Sequence, residues 1–359
     1  MYQQWQSERA RAWYASQPWG CGFNYLPRTA VNWLEMWQEE TFDPVVIYQE
    51  LQWASQYGYN SLRTNLPFTV WEHDRNGLIE RIDRFLGIAH DCGLAVMLTL
   101  LDDCAFSGDE PAPGRQKPPV PGIHNSQGAG SPGRAKVLDP RCWPQIEAYV
   151  KDVVGHFRED PRIQIWDLYN EPGNSGVFGG EPRDMQYDSR LDIYALSLMT
   201  RVFSWARQAL PSQPLTVAAW HIPDRLNCEE AFSHPIDVAA LHLSDIVSYH
   251  AYVATPGQLE IIKRLAAFNR PILCSEWLAR HLGSVMQEQL PLFKGLEIGC
   301  YQWGLVQGKT QTWLPWPDLP SEIKDRSLWF HDVLTAEGIP YSEEEMQSVN
   351  RLTTRVLKE

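Results

Sequence analysis

The sequence predicts a (β/α)8 barrel, of class α/β, and three observations carry that expectation. Short apolar runs alternate with longer amphipathic stretches along most of the chain, there are eight such runs, and no G-x-G-x-x-G follows the first. Alternation of this kind marks parallel βαβ units, and eight is the strand number that closes a parallel barrel. The missing glycine motif sets aside an open dinucleotide-binding sheet. Although 359 residues exceed an average domain, barrels routinely run past ~250 residues as one unit, so a single barrel over residues 1–359 is expected.

The runs expected as strands are 22–26, 61–66, 95–101, 163–169, 215–219, 246–252, 272–277 and 300–306. Helical patterns lie between them at 44–57, 79–92, 144–157, 191–210, 259–268 and 285–296, and residues 342–357 read as a closing amphipathic helix. One stretch breaks the rhythm. Residues 106–134 hold six Pro and six Gly in 29 positions and show neither helical nor strand period. Because the alternation resumes on both sides, this is expected as a long loop after the third strand. It would stand at the carboxyl-end face as an active-site wall or lid.

Composition excludes several functions. With 31 Lys and Arg against 44 Asp and Glu, the net charge of −13 is wrong for neutralising nucleic-acid phosphates. The apolar run 94–101 falls far short of the ~20 residues that span a bilayer. Residues 1–9 show no apolar signal region, so the chain is expected to be cytoplasmic. Seven cysteines without a C-x-x-C pair argue against a zinc ribbon or a disulfide scaffold and suit a reducing compartment. There is no His-Glu-x-x-His, P-loop or EF-hand loop, so neither metal nor cofactor is expected. The 16 Trp, 14 Tyr and 12 Phe suit a bulky core or the faces of sugar rings.

Two strand ends carry the chemistry. Ile165-Trp166-Asp167-Leu168-Tyr169-Asn170-Glu171-Pro172 is an apolar strand closing on an amide, a carboxylate and a proline; Pro271-Ile272-Leu273-Cys274-Ser275-Glu276-Trp277 is another closing on a carboxylate. On strands four and seven of one barrel, Glu171 and Glu276 would face each other across its mouth. Glycoside cleavage by a carboxylic acid and a carboxylate requires that placement.

Five segments in order resemble clan A of the glycoside hydrolases, most closely family 5. They are Asn60-Ser61-Leu62-Arg63, Asn170-Glu171-Pro172, His250-Ala251-Tyr252, Glu276 and Trp303, and the resemblance runs from Gly20 to about Tyr341. It implies Glu171 as acid/base and Glu276 as nucleophile. Arg63 is implied to hold Glu276 charged, Tyr252 to hydrogen-bond it, and Asn170 to donate to the sugar 2-hydroxyl. His250 would touch a hydroxyl or the acid/base, and Trp303 would floor the sugar. The chain departs from the family pattern at Leu101-Asp102-Asp103-Cys104, where a histidine is usual. Asp102 or Asp103 is expected there either to bind the terminal sugar or to cap the loop backbone. The segment 303–313, including Lys309, and Trp316 read as a polar, aromatic-rimmed loop closing one end of a pocket, with Lys309 a candidate sugar contact. His124, Asn125, Trp220 and His221 are further candidates to line the site. The resemblance implies a retaining glycoside hydrolase without cofactor; the pocket-closing loops after strands three and eight, together with the absent export signal, lead to the expectation of exo action on small β-linked glycosides. A carbohydrate-binding barrel without turnover and a transglycosylase stay open as alternatives.

Overall fold

In the computed structural model, residues 3–178 and 190–354 are described. Nine strands form one sheet: β1 (Cys21–Asn24), β2 (Ser61–Asn65), β3 (Ala95–Asp102), β4 (Ile163–Asn170), β5 (Leu215–Thr216), β6 (Ala218–Ala219), β7 (Val247–His250), β8 (Ile272–Trp277) and β9 (Gly299–Trp303). All pairings are parallel and run β5-β4-β3-β2-β1-β9-β8-β7-β6. The two ends of that order, β5 and β6, are halves of one stave interrupted at Val217. Leu215 and Thr216 pair with β4, whereas Ala218 and Ala219 pair with β7, so the break joins the two edges and closes an eight-stave barrel. Side chains stitch this junction: Leu215 N–H donates to Asp245 Oδ2 at 2.9 Å, and Val217 N–H to Ser244 Oγ at 3.1 Å.

Helices pack their apolar stripes on the outside of the staves. In Pro44–Gln56, Asp43 caps the Val45 and Val46 amides, Pro44 sits in the first turn where its missing N–H costs nothing, and Ile47, Leu51 and Ala54 face inward. Toward the amino ends of the strands, Met97, Ile165, Ile246, Leu273 and Tyr301 form a separate apolar layer. Trp13 and Tyr14, from the helix Ser7–Ala15, pack against it. Among the described residues, no helix is long and apolar enough to cross a membrane.

The structure trims several expected elements. The last stave stops at Trp303 because Gly304 turns at φ +76°, and the sixth stops at His250 after a register shift. Short helices at Trp33–Trp37, Phe68–His73 and Pro235–Leu243 occupy connections where no helix was expected. The expected closing helix is Glu343–Thr353; its last expected residues, 355–357, lie outside the described residues. The long loop 106–134 interlocks with the loop after β9. Gly122 N–H donates to Gln311 Oε1 at 2.8 Å, Asn125 N–H to the Thr310 carbonyl at 2.7 Å, and Gln311 Nε2 to the Val120 carbonyl at 2.7 Å.

Candidate active site

The polar centre of the barrel mouth is built around Arg63 on β2. Its side chain is wholly buried, and all of its donors are directed at acceptors on other staves. Nη1 donates to Glu276 Oε1 at 2.9 Å and to Asn24 Oδ1 at 2.6 Å. Nη2 donates to Asn170 Oδ1 at 2.6 Å and Asp167 Oδ2 at 2.7 Å, and Nε to Asp167 Oδ2 at 2.8 Å. A guanidinium is the one side chain able to make such a planar, multi-directional set, and it is weakly enough hydrated to be buried. Burial alone would lower its pKa; the carboxylates of Asp167 and Glu276 outweigh that and hold it up. Because Arg63 only donates, Asn170 must turn its Oδ1 toward it, which points Asn170 Nδ2 at Asp102 Oδ1 (2.9 Å) and, more weakly, Cys104 Sγ (3.4 Å).

Glu276, the penultimate residue of β8, has both oxygens held. Oε1 accepts from Arg63, and Oε2 accepts from the Tyr252 hydroxyl at 2.7 Å. Burial and the charge of Glu171 push its pKa up, while His250 and Arg63 draw it down. Glu171 leaves β4 at φ +43°, a left-handed conformation uncommon for a side-chain-bearing residue and costing of order 1–3 kcal/mol. That turn swings its carboxyl over the mouth. There Oε1 lies 2.8 Å from His250 Nδ1, and Oε2 accepts from Asn174 Nδ2 at 2.6 Å and Cys104 Sγ at 3.2 Å. Burial raises its pKa, and it has no Arg or Lys partner among the described residues. His250 is buried, which pushes its pKa down to about 4 and keeps the ring neutral. Its Nδ1 is also 3.5 Å from Glu276 Oε2, so it stands between the two carboxyl groups. One oxygen of each glutamate and one His250 nitrogen lie within 4.8 Å of one another.

Three converging ligand atoms are also the minimum for holding a metal ion. Here, however, they are engaged with one another and with Tyr252, and Arg63 supplies the positive charge. The donor set suits proton transfer and nucleophilic attack.

These groups open into a cavity of about 370 Å³. Asn170, Glu171, His250, Tyr252, Glu276 and Trp303 all line it. So do His124 and Asn125, from within the long loop, and Trp220 and His221, just after β6, all four expected from the sequence as further candidates. Phe106, at the root of the long loop, stacks on Phe178 with ring centres 4.4 Å apart and planes at 9°. Opposite, the Nδ1 of His221 lies 3.0 Å from the buried Asp237 carboxylate, which also accepts the Trp220 and His221 backbone N–H groups.

Besides Arg63, which is wholly buried outside the lining, three sequence candidates do not join it. Asp103 is wholly enclosed, accepting from the Tyr169 hydroxyl at 2.8 Å and Gly173 N–H at 2.7 Å, and burial pushes its pKa up to about 7. Asp102 accepts from Asn170, Asn65 Nδ2 and its own loop's Cys104 N–H. Of the two roles expected for this pair, the geometry shows backbone capping for both, Asp102 on Cys104 N–H and Asp103 on Gly173 N–H. Lys309 points away as well, its Nζ reaching Glu35 at 3.0 Å on the surface. Conversely, sequence reasoning missed Cys104, Asn174, His331 and Asp167. Asp167 carried a signal, a carboxylate in the middle of an apolar strand; Cys104 stood at the departure from the family pattern; His331 had none.

No protein-family model matches the sequence, and no curated protein matches it. Solved structures do match in fold. GH5_18 from Streptomyces cattleya in complex with GlcNAc superposes with a TM-score of 0.61 at 14% identity, covering 94% of this chain and 80% of that one. An exo-β-1,4-mannosidase from Opitutaceae bacterium strain TAV5 gives 0.60 at 17%, covering 93% and 59%. An endo-1,4-β-mannanase from Rhizomucor miehei gives 0.60 at 12%, covering 93% and 94%. The shared (β/α)8 architecture is the one the residue pattern predicts.

Proposed function

We propose that this chain is a retaining glycoside hydrolase that removes sugars from the end of small β-linked glycosides. One observation carries the reading. Two glutamates with different partners, Glu171 and Glu276, bring an oxygen each within 4.8 Å of one another and of His250, in an aromatic-walled cavity. Retention places the carboxyls ~5–5.5 Å apart, while inversion needs ~6.5–9.5 Å to admit water between sugar and base. The short separation favours retention.

The partners divide the labour. Arg63 and Tyr252 donate to Glu276 and favour its ionised form, the form that attacks the anomeric carbon. Glu171, buried and without a cation in contact, holds a proton for the departing glycosidic oxygen. As the bond to that oxygen breaks, a bond from the anomeric carbon to Glu276 forms. Glu171, now ionised, takes a proton from water, whose oxygen displaces Glu276 and regenerates both groups. Asn170 Nδ2 has only the weak Cys104 sulfur on its second hydrogen, which a sugar 2-hydroxyl would displace. Trp303 ends its stave at the cavity and offers a ring to the sugar.

Exo action is supported by the interlocked loops 106–134 and 305–334, which close over one side of the cavity. Names among the structural neighbours, an exo-β-1,4-mannosidase and a form of GH5_18 in complex with Manβ1-4GlcNAc, put β-mannosides first among sugars to try. The test is a panel of aryl β-glycosides with proton NMR of the first-formed sugar. Retained configuration is expected, with Glu276→Ala inert on every substrate and Glu171→Ala active on good leaving groups and accelerated by azide. Inversion, or azide acceleration with retained configuration in Glu276→Ala, would overturn the assignment. No turnover of any glycoside would favour a binding barrel, and sugar transfer to an added acceptor in preference to water would favour a transglycosylase.

A further inference from the structure

Two histidines in the cavity wall do nothing in this chemistry. His124 comes from the long loop after β3 and His331 from the loop after β9, and both are almost wholly buried. Each is anchored through Nδ1 to a backbone carbonyl: His124 to Leu314 at 2.8 Å, and His331 to Leu278. A carbonyl only accepts, so Nδ1 carries the hydrogen in both rings. Burial pushes His124 down to about 4 and His331, which also faces His124, well below the ordinary range. A neutral imidazole with its hydrogen on Nδ1 has a bare lone pair at Nε2. Neither Nε2 has a protein partner among the described residues, and neither is sealed off from the cavity.

The two rings lie 5.3 Å apart at 67° and stand beside the reacting groups. The His331 ring centre is 5.4 Å from that of Tyr252, whose hydroxyl holds Glu276. Both lone pairs are open to the cavity, so they take their partners from whatever fills it, water or a ligand hydroxyl.

We propose that His124 and His331 form a paired acceptor site that binds two free hydroxyl groups of the sugar in the cavity. This rests on the glycosidase reading and adds a specificity to it. A hydroxyl can donate to a lone pair; an O-methyl, a deoxy position or a ring oxygen cannot. The site therefore selects unsubstituted sugars at the two hydroxyls it meets. A site built around a substrate hydroxyl rejects the analogue lacking it far more strongly than an apolar pocket rejects a missing methylene.

The test uses His124→Asn and His331→Asn. Asparagine places its amide where Nδ1 stood, so the bond to the backbone carbonyl survives while the acceptor disappears. Each variant is assayed on a parent aryl glycoside and on its monodeoxy and mono-O-methyl analogues. The expected result is a loss of about 10- to 100-fold in kcat/KM on the parent, and no further loss on the one analogue lacking the matching hydroxyl. Equal losses on the parent and every analogue would make the histidines scaffolding and overturn the proposal. A second readout needs no turnover: 15N NMR of histidine-labelled protein should show both Nε2 atoms unprotonated and moving when methyl glycoside is added. Should no glycoside be cleaved while those signals respond, the hydrolase reading fails and the acceptor site stands. Silence in both assays removes the acceptor site too.

Discussion

Removing Arg63 tests the polar centre most directly. Arg63→Met deletes a cation that pairs with Asp167 and Glu276 and leaves both carboxylates buried. Breaking a buried ion pair from one side costs about 3–5 kcal/mol. Unfolding entropy near the melting point is about 2.1 cal/mol/K per residue, so for 359 residues each kcal/mol moves Tm by about 1.3 °C. The expected fall is therefore about 4–7 °C by calorimetry. Activity should respond separately. In the proposed mechanism Glu276 must be ionised to attack, and loss of the neighbouring cation raises its pKa further above its already elevated position, so the acidic limb of the pH–rate profile should move to higher pH. Arg63→Lys keeps the charge and gives up the planar fork, so it should lose stability while shifting that limb less. Adding Asp167→Asn to Arg63→Met removes one stranded charge and should recover part of the stability but none of the activity. A Tm within ~1 °C of the parent, together with an unmoved acidic limb, would refute the reasoning.

Three further outcomes follow from the geometry. Cys104→Ala removes a donor that favours ionised Glu171, so its pKa rises and the basic limb of the profile, where the acid loses its proton, should extend to higher pH; a limb that stays in place or retreats refutes this. Asp103 and Asp332 are both pushed up to about 7 by burial. Raised carboxyls bind more protons folded than unfolded, so their contribution is complete below about pH 4 and lost as pH rises through about 7. Melting should therefore fall across that window, and Asp103→Asn and Asp332→Asn should flatten the fall; parallel curves in parent and variants count against it. Lys309→Met breaks only a surface pair with Glu35, so kcat/KM should change less than about 2-fold and stability by less than ~1 kcal/mol, whereas a large rise in KM would return Lys309 to the sugar site.

Much of this was legible in the sequence because it is periodic or sits at the end of something periodic. Glu171, Glu276 and Trp303 lie where apolar strands stop, and a barrel sends all such ends to one face. What was not legible depends on loop paths. Asp102 and Asp103 look like ligands on paper, yet the turn after β3 folds them under Gly173 and Asn65. Lys309 follows Trp303 by only a few residues, but the chain turns at Gly304 and carries it to Glu35. His331 reached the cavity through a loop with no periodicity at all, anchored by a contact to Leu278 that is 53 positions away.

The broken stave at Val217 gives the barrel a seam. Elsewhere in the ring a stave is typically held by three or more paired residues on each side, whereas here β5 holds β4 with two and β6 holds β7 with two. Continuous pairing is what lets a closed sheet dispense with edges, so this junction is where the ring most easily becomes an open sheet with two edges. Amide protons of Leu215–Thr216 and Ala218–Ala219 should accordingly be the first of the barrel to be released to solvent in native-state exchange. Trp220 and His221 begin immediately beyond that seam. The seam therefore stands directly beneath the wall that Trp220 and His221 contribute to the cavity.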